Sequence, residues 1–173
     1  HYLLCADYFS KFPIVRYIKS LHSKEVIDKL KTIFSEHGNP KVVYTDQGTQ
    51  FTSTEFQKFA SQYNFEIQHS SPRYPQANGF AEAMVKVVKG ILARAKEAGE
   101  DVHLALQAYR ATPVNRHLPS PAEMLYSRKL RSLLPSKQCL TSEQQEIRET
   151  QFQQKDKQSE LYNRHARAYE ELD

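Results

Sequence analysis

The chain reads as an α/β domain, a mixed sheet flanked by helices, followed by an extended helical tail. Three observations predict it. Two short runs of strand-forming residues open the sequence. Segments with the helical period then alternate with further short apolar runs. After residue 140 the composition turns polar and loses Gly and Pro altogether. Strands followed by alternating helices and strands give one sheet with helices packed on its faces. The 173 residues suffice for one domain with a buried core plus an appendage.

The elements follow in order. Tyr2–Tyr8 and Phe12–Ile18 are strand candidates, joined through a turn at Ser10-Lys11 and expected to pair antiparallel. Ser23 is expected to cap a helix whose apolar positions are Val26, Ile27, Leu30, Ile33 and Phe34. Gly38 and Pro40 end that helix. Val42–Thr45 is a short buried strand. Thr52-Ser53-Thr54-Glu55 has the pattern of a capping box, opening a helix that buries Phe56, Phe59 and Ala60. Phe65–His69 is a further strand.

A long helix is expected from about Asn78 to Lys96, with a buried stripe of Ala81, Val85, Val88, Leu92 and Ala95. Another covers Val102–Ala111. Ser120-Pro121-Ala122-Glu123 combines an N-cap, a proline at the first helical position and a glutamate at the third, and opens a short helix ending near Arg128. Domain boundaries are placed at 1–135 for the body and 136–173 for the tail. Thr141–Asp173 carries six Gln and a thin apolar stripe of Ile147, Phe152, Leu161 and Tyr162, so it reads as a long exposed helix or a partly disordered linker.

Charge is unevenly spread. Thr141–Asp173 holds eight acidic and five basic residues, whereas residues 1–140 carry a net +7. A basic body suits a polyanionic partner and equally a merely soluble basic domain. Two cysteines, Cys5 and Cys139, are too few for a disulfide framework, and Cys5 sits in an apolar run as a core residue would. No stretch approaches the roughly 18 apolar residues of a membrane span, so no membrane partner is expected. The start lacks the basic segment of a signal peptide, and reads as the interior of a strand.

The chemistry concentrates at Asp46 and Glu82, with thirty-five residues between them. Asp46 ends the run Lys41-Val42-Val43-Tyr44-Thr45 and precedes Gln47-Gly48-Thr49-Gln50-Phe51. Glu82 falls in the first turns of the long helix, after Ser71-Pro72-Arg73-Tyr74-Pro75-Gln76-Ala77-Asn78-Gly79. Magnesium and manganese take hard oxygen ligands and keep several waters, so two or three carboxylates on different rigid elements can hold them. Each residue alone has a plainer reading: Asp46 as a loop aspartate capping Gly48, Glu82 as a first-turn glutamate favoured by the helix dipole.

At about 100° per residue, Glu82, Lys86 and Lys89 lie within roughly 60° of one another, a face suited to phosphates or, more simply, an i,i+4 salt bridge. Tyr74, Gln76 and Asn78, in a Pro-broken loop beside this helix, could meet bases or backbone through stacking and amide hydrogen bonds. His22, His37, His103, His117 and His165 form no metal spacing and read as surface residues; His69 lies nearer the site. There is no Gly-rich phosphate loop and no Gly-x-Ser-x-Gly elbow, which argues against P-loop and serine-hydrolase chemistry.

Four stretches together resemble the integrase core of gypsy-type retrotransposons and retroviruses. They are Tyr2-Leu3-Leu4-Cys5-Ala6-Asp7-Tyr8-Phe9-Ser10-Lys11-Phe12-Pro13, Tyr44-Thr45-Asp46-Gln47-Gly48-Thr49-Gln50-Phe51, Ser71 through Glu82, and Ala108-Tyr109-Arg110-Ala111-Thr112-Pro113. Ser120-Pro121-Ala122-Glu123-Met124-Leu125, followed by Arg128-Lys129-Leu130-Arg131, matches the downstream end. The resemblance covers residues 1 to about 135.

It implies a ribonuclease H-like fold and a DDE triad of two aspartates and a glutamate binding two Mg2+ (or Mn2+) ions. It also implies 3′-end processing and strand transfer of element DNA into target DNA, assembly as a homo-oligomer, and a nuclear location. By position, Asp46 matches the second aspartate and Glu82 the glutamate. Lys86, Lys89 and the loop with Asn78 match positions that hold the DNA end. The family's first aspartate lies on a strand ahead of the Tyr2-Leu3-Leu4 run, where this sequence has no counterpart, and Asp7 belongs to the next motif. The chain therefore reads as an N-terminally truncated fragment, expected to bind metal weakly and join DNA little or not at all. A catalytically inactive DNA-binding or scaffolding module derived from an integrase is the alternative.

Overall fold

The computed structural model describes residues 1–69, 75–113, 117–133, 149–154, 156–157 and 160, with backbone only for 75–78. The chain divides into two compact units, His1–Leu133 and Leu134–Asp173. In the second, the described residues are helical and exposed.

The first unit opens with β1 (Tyr2–Ala6) and β2 (Pro13–Tyr17), antiparallel, with Leu4 opposite Val15 and Cys5 opposite Ile14. The turn between them is built by Asp7, whose Oδ2 accepts from the Ser10 N–H at 2.7 Å and from the Ser10 hydroxyl at 2.6 Å. Lys11 takes a positive φ of 61°, which lets the chain reverse. Helix α1 (Ser23–His37) ends at Gly38, whose φ of 88° suits glycine and whose N–H reaches the Phe34 carbonyl at 2.8 Å. Ser23 does not cap it. It is the first helical residue, His22 holds the cap position without a side-chain bond, and Glu25 reaches back to the Lys19 N–H instead.

Strand β3 (Val42–Thr45) pairs in parallel with β4 (Glu66–His69), Val43 opposite Ile67 and Thr45 opposite His69. Between them run α2 (Thr49–Thr52) and α3 (Thr54–Tyr63). The expected capping box is displaced by one residue. Ser53 is the cap, accepting from Phe56 N–H at 3.2 Å, so the third helical residue is Phe56 and the reciprocal glutamate bond does not form. Then come α4 (Pro75–Glu97), α5 (Val102–Ala111) and α6 (Pro121–Tyr126).

Strand alternation gives the hairpin two apolar faces. Leu3, Cys5 and Ile14 join the larger core, with Val26, Leu30, Ile33, Phe56, Phe59 and Phe65 from α1, α3 and the residue leading into β4. Leu4 and Val15 face the other way, onto Val88, Ile91, Leu106 and Tyr109 of α4 and α5. The β1–β2 sheet is thus the middle layer between two helical layers. Aromatic rings cement the larger core: Phe59 stacks on Phe34 at 5.7 Å and meets Phe65 edge-on at 5.2 Å.

The buried stripe of α4 is Met84, Val88, Ile91 and Ala95. Ala81 and Val85, expected inside, are exposed, and Leu92 is half-buried. The helix is turned about its axis because its contact surface is set by Leu4 and Leu106, and Met84 and Ile91 fit that surface. Val85 is thereby left on the exposed flank of the stripe.

Helix α6 carries the full capping box. The Ser120 hydroxyl donates to Glu123 Oε2 at 2.7 Å and accepts from the Glu123 N–H at 3.3 Å, while Ser120 N–H also meets Oε2 at 3.0 Å. The Ser120 hydroxyl bond, ahead of the backbone bond and Lys129 and against some burial, holds the Glu123 carboxyl below its ordinary value of 4.5. A carboxyl depressed in the folded state binds fewer protons there than in the unfolded chain. Its contribution is therefore present above pH 4.5 and is lost as pH falls through the lower folded value. Glu123→Gln should flatten the acid side of a plot of urea midpoint against pH. Ser120→Ala should cost about 0.5–2 kcal/mol at neutral pH; an unchanged midpoint in Ser120→Ala would show that the cap is dispensable.

Candidate metal and nucleic-acid cleft

Asp46 follows β3 directly, where a strand's end delivers a carboxylate at a fixed point. Its Oδ1 accepts from the Gly48 N–H at 3.0 Å, an Asx-type bond that sets the side-chain direction. His69, brought level with Thr45 by the parallel pairing, places Nδ1 3.0 Å from Thr45 Oγ1 and 3.2 Å from the Asp46 carbonyl. The backbone of Asp46 is thus tied to β4 and its carboxylate to Gly48. His69, which the sequence puts nearer the site than the other histidines, thus acts on Asp46 through its backbone.

Gly48 is required for space, since its φ is −57°. A Cβ there would lie 2.9 Å from Asp46 Oδ1 and 2.4 Å from the Gln50 amide nitrogen. The Gln50 amide can swing aside; the carboxylate would have to leave its bond. Gly48→Ala should weaken divalent-metal binding several-fold while the unfolding free energy from urea titration stays within about 0.5 kcal/mol of wild type. Unaltered metal affinity by calorimetry would show that this orientation is unimportant.

Asp46 and Glu82 line one open cleft of about 480 Å³, together with Ala81, Val85, Lys86 and Lys89. The axial turn that exposes Ala81 and Val85 makes them its apolar wall. The cleft therefore contains two carboxylates from two rigid elements and two lysines spaced along one helix face. Both carboxylates are exposed to solvent, so a cation held there would keep much of its water. That donor set fits a hydrated divalent ion with hard-oxygen preference. Among the described residues, no group of three or more His, Cys, Asp and Glu stands where it could share a metal. Asp7 Oδ2 is engaged with Ser10 in the hairpin turn.

Of the other expected site residues, Tyr74 lies outside the described residues. Gln76 and Asn78 have backbone in the first turns of α4, so the segment expected to be loop is helical from Pro75; their side chains lie outside the described set. Among the histidines expected at the surface, His37 is an exception. Its Nδ1 lies 3.0 Å from the Tyr126 hydroxyl, and burial, partly offset by Glu36, lowers its pKa from 6.5. Cys5 is a core thiol, pushed up to about 12 by burial against a smaller opposing effect of Arg16.

The fold is the ribonuclease H-like α/β fold of integrase catalytic cores. Residues 1–75 match the integrase core domain, a family of polynucleotidyl transferases, and the chain is a relative of retroviral and retrotransposon Pol polyproteins. It is 33% identical over 137 residues to an uncharacterized Caenorhabditis elegans protein, K02A2.6, covering 76% of this chain and 11% of that protein. It is 32% identical over 94 residues to the Pro-Pol polyprotein of feline foamy virus, covering 54% of this chain and 8% of the polyprotein. The chain thus spans only a small part of these relatives.

Among solved structures, the catalytic core of BIV integrase superposes with a TM-score of 0.62 at 17% identity, over 72% of this chain and 84% of that one. The HTLV-2 integrase core, solved with magnesium in a trimeric form, gives 0.58 at 22%, over 72% and 85%. Among the described residues, no helix is long and apolar enough to cross a membrane.

Proposed function

We propose that this chain belongs to the catalytic part of an integrase that processes the 3′ ends of element DNA and joins them to target DNA. The observation that carries the reading is the shared cleft of Asp46 and Glu82 with Lys86 and Lys89 beside them. Asp46 and Glu82 would hold magnesium or manganese, with a further aspartate completing a DDE set. When bound, such ions activate the attacking oxygen and stabilise the leaving one in phosphodiester transfer.

The chain's own residues do the rest. Gly48 and His69 fix Asp46 in direction and position. Lys86 and Lys89 are one turn apart and meet consecutive phosphates of a DNA end as point charges. Val85 and Ala81 give the cleft an apolar wall on which a sugar can rest. The magnesium in the HTLV-2 core and the intasome containing the simian T-cell lymphotropic virus protein support the metal, DNA and oligomer components of this reading. The site of action would be the nucleus, where chromosomal DNA is.

The direct test is magnesium-dependent joining of a labelled DNA end to a plasmid, run on this chain and on a version extended upstream in its gene. Activity that depends on Asp46 and Glu82 supports the reading; joining that persists without both refutes it. DNA binding provides a separate check. Lys86→Glu and Lys89→Glu should each weaken binding to duplex ends and lower the salt slope by roughly one unit for each phosphate no longer neutralised. A slope unchanged in both variants would place the DNA elsewhere.

A further inference from the structure

A second cavity, of about 400 Å³, lies between the β1–β2 turn, α5 and the segment after α6, and shares no lining residue with the metal cleft. Phe12, Leu104, Tyr126 and Leu130 form its apolar walls. Phe12 and Tyr126 meet edge to face at 5.4 Å. The polar lining comprises the cations Arg110 and Arg128 with His103, Gln107 and the Tyr126 hydroxyl, and includes no carboxylate.

Arg110 is built into this wall. Its Nε and Nη2 donate to the Pro13 carbonyl at 3.0 and 2.8 Å, and its guanidinium carbon lies 4.8 Å from the centre of the Phe12 ring. Nη1 has no acceptor among the described residues. Arg128 is brought back over the ring of Tyr126, at 6.0 Å, because Ser127 takes a left-handed φ of 53° as the cap of α6.

Neither arginine has an acidic partner among the described residues: the nearby carboxylates are taken by Arg16 with Glu36 and Lys129 with Glu123. Burial, opposed by Tyr126 and reinforced by Arg16, pushes the Arg110 guanidinium pKa down, although a guanidinium stays charged at any working pH. A partly desolvated cation without a counter-charge is electrostatically costly, and an arriving oxyanion relieves that cost.

We propose that this cavity is a docking site for an acidic, apolar peptide segment of a partner protein, whose carboxylate meets Arg110 and Arg128 while a neighbouring aliphatic or aromatic side chain fills the space between Phe12, Leu104 and Leu130. Charge complementarity selects the occupant. Arg110 Nη1 and the guanidinium of Arg128 offer an incoming carboxylate charge-assisted donors. The volume admits one or two side chains, and a half-buried arginine pinned to a carbonyl is poorly placed to track a nucleic-acid backbone, which calls for a row of exposed cations. Leu104, 44% exposed, supplies apolar surface that a strand of phosphates would leave wet. The site is independent of the catalytic reading and stands or falls without it.

The test uses the full 173-residue chain and a fluorescently labelled Leu-Asp-Phe-Asp-Leu peptide, with Leu-Asn-Phe-Asn-Leu and a single-stranded oligonucleotide as comparisons. The acidic peptide should bind and shift the backbone amide resonances of Leu104, Gln107 and Arg128. Its affinity should fall roughly tenfold or more in Arg128→Glu, as for loss of a charged hydrogen-bonded pair. Arg128 is exposed, so this variant should fold normally, and Leu-Lys-Phe-Lys-Leu should recover binding to it. Equal binding of the acidic and amide peptides would overturn the proposal. So would stronger shifts of those amides by the oligonucleotide. Sedimentation showing a dimer that Arg128→Glu dissociates would assign the cavity to a second copy of the chain and likewise overturn it.

Discussion

In the version extended upstream, Asp46→Asn is expected to reduce magnesium-dependent joining of DNA ends by at least about a hundredfold, the scale of several kcal/mol of metal-mediated charge stabilisation. DNA binding should remain within roughly twofold, because the lysines that meet the phosphates are untouched. The substitution keeps the shape of the side chain and its amide oxygen can still accept from Gly48 N–H at the present 3.0 Å, so the loss would report charge and metal ligation. Glu82→Gln should behave alike. The double variant should be little worse than either single one, since residues sharing an ion act as a unit. Additive, modest losses would mean that the two carboxylates do not hold a common metal. Undiminished joining by Asp46→Asn would remove the catalytic assignment and leave the DNA-binding scaffold as the better reading.

Phe56→Ala should have the largest effect on stability, about 3–5 kcal/mol. Phe56 is fully buried, and its ring meets Phe51 at 5.4 Å, Phe59 at 5.8 Å and Phe65 at 6.2 Å. It links α2, α3 and the residue leading into β4, so a hole there loosens three segments together. Urea unfolding followed by circular dichroism reads this as a fall in midpoint. A marginal fold could lose cooperative unfolding altogether. Because β4 carries His69, the variant should also weaken divalent-metal binding; full metal affinity despite a lowered midpoint would show that the cleft is insulated from this core.

Elements with strong local signals were legible in the sequence. Helix α5 starts at Val102 and ends at Ala111 as its pattern requires, with Asp101 accepting from His103 N–H. The capping box of α6 lies where Ser120 and Glu123 place it. Helix α2 was missed because four residues hold barely one turn and show no period. The rotation of α4 was misjudged for a different reason. Ala81, Met84, Val85, Val87, Val88, Ile91 and Leu92 put apolar residues on more than one side of the helix, and partners distant in sequence select the buried face.

The cleft divides similarly. Asp46 and Glu82 stood out by residue type and flanking motif. The bonds of His69 to Thr45 and Asp46 depend on the register of β3 with β4, which no local pattern encodes. The fit of Gly48 against a carboxylate oxygen is likewise a matter of packing. Arg110 belonged to a recognisable motif, yet its place on the Pro13 carbonyl joins positions 97 residues apart.

The strands form two ladders, β1 with β2 and β3 with β4, so among the described residues every strand has one neighbour and one open rim. An open rim offers amide and carbonyl groups at regular spacing to any extended polypeptide. Additional chain, its own or another's, can lengthen either ladder without breaking an existing bond. The same property invites edge-to-edge association in concentrated solution.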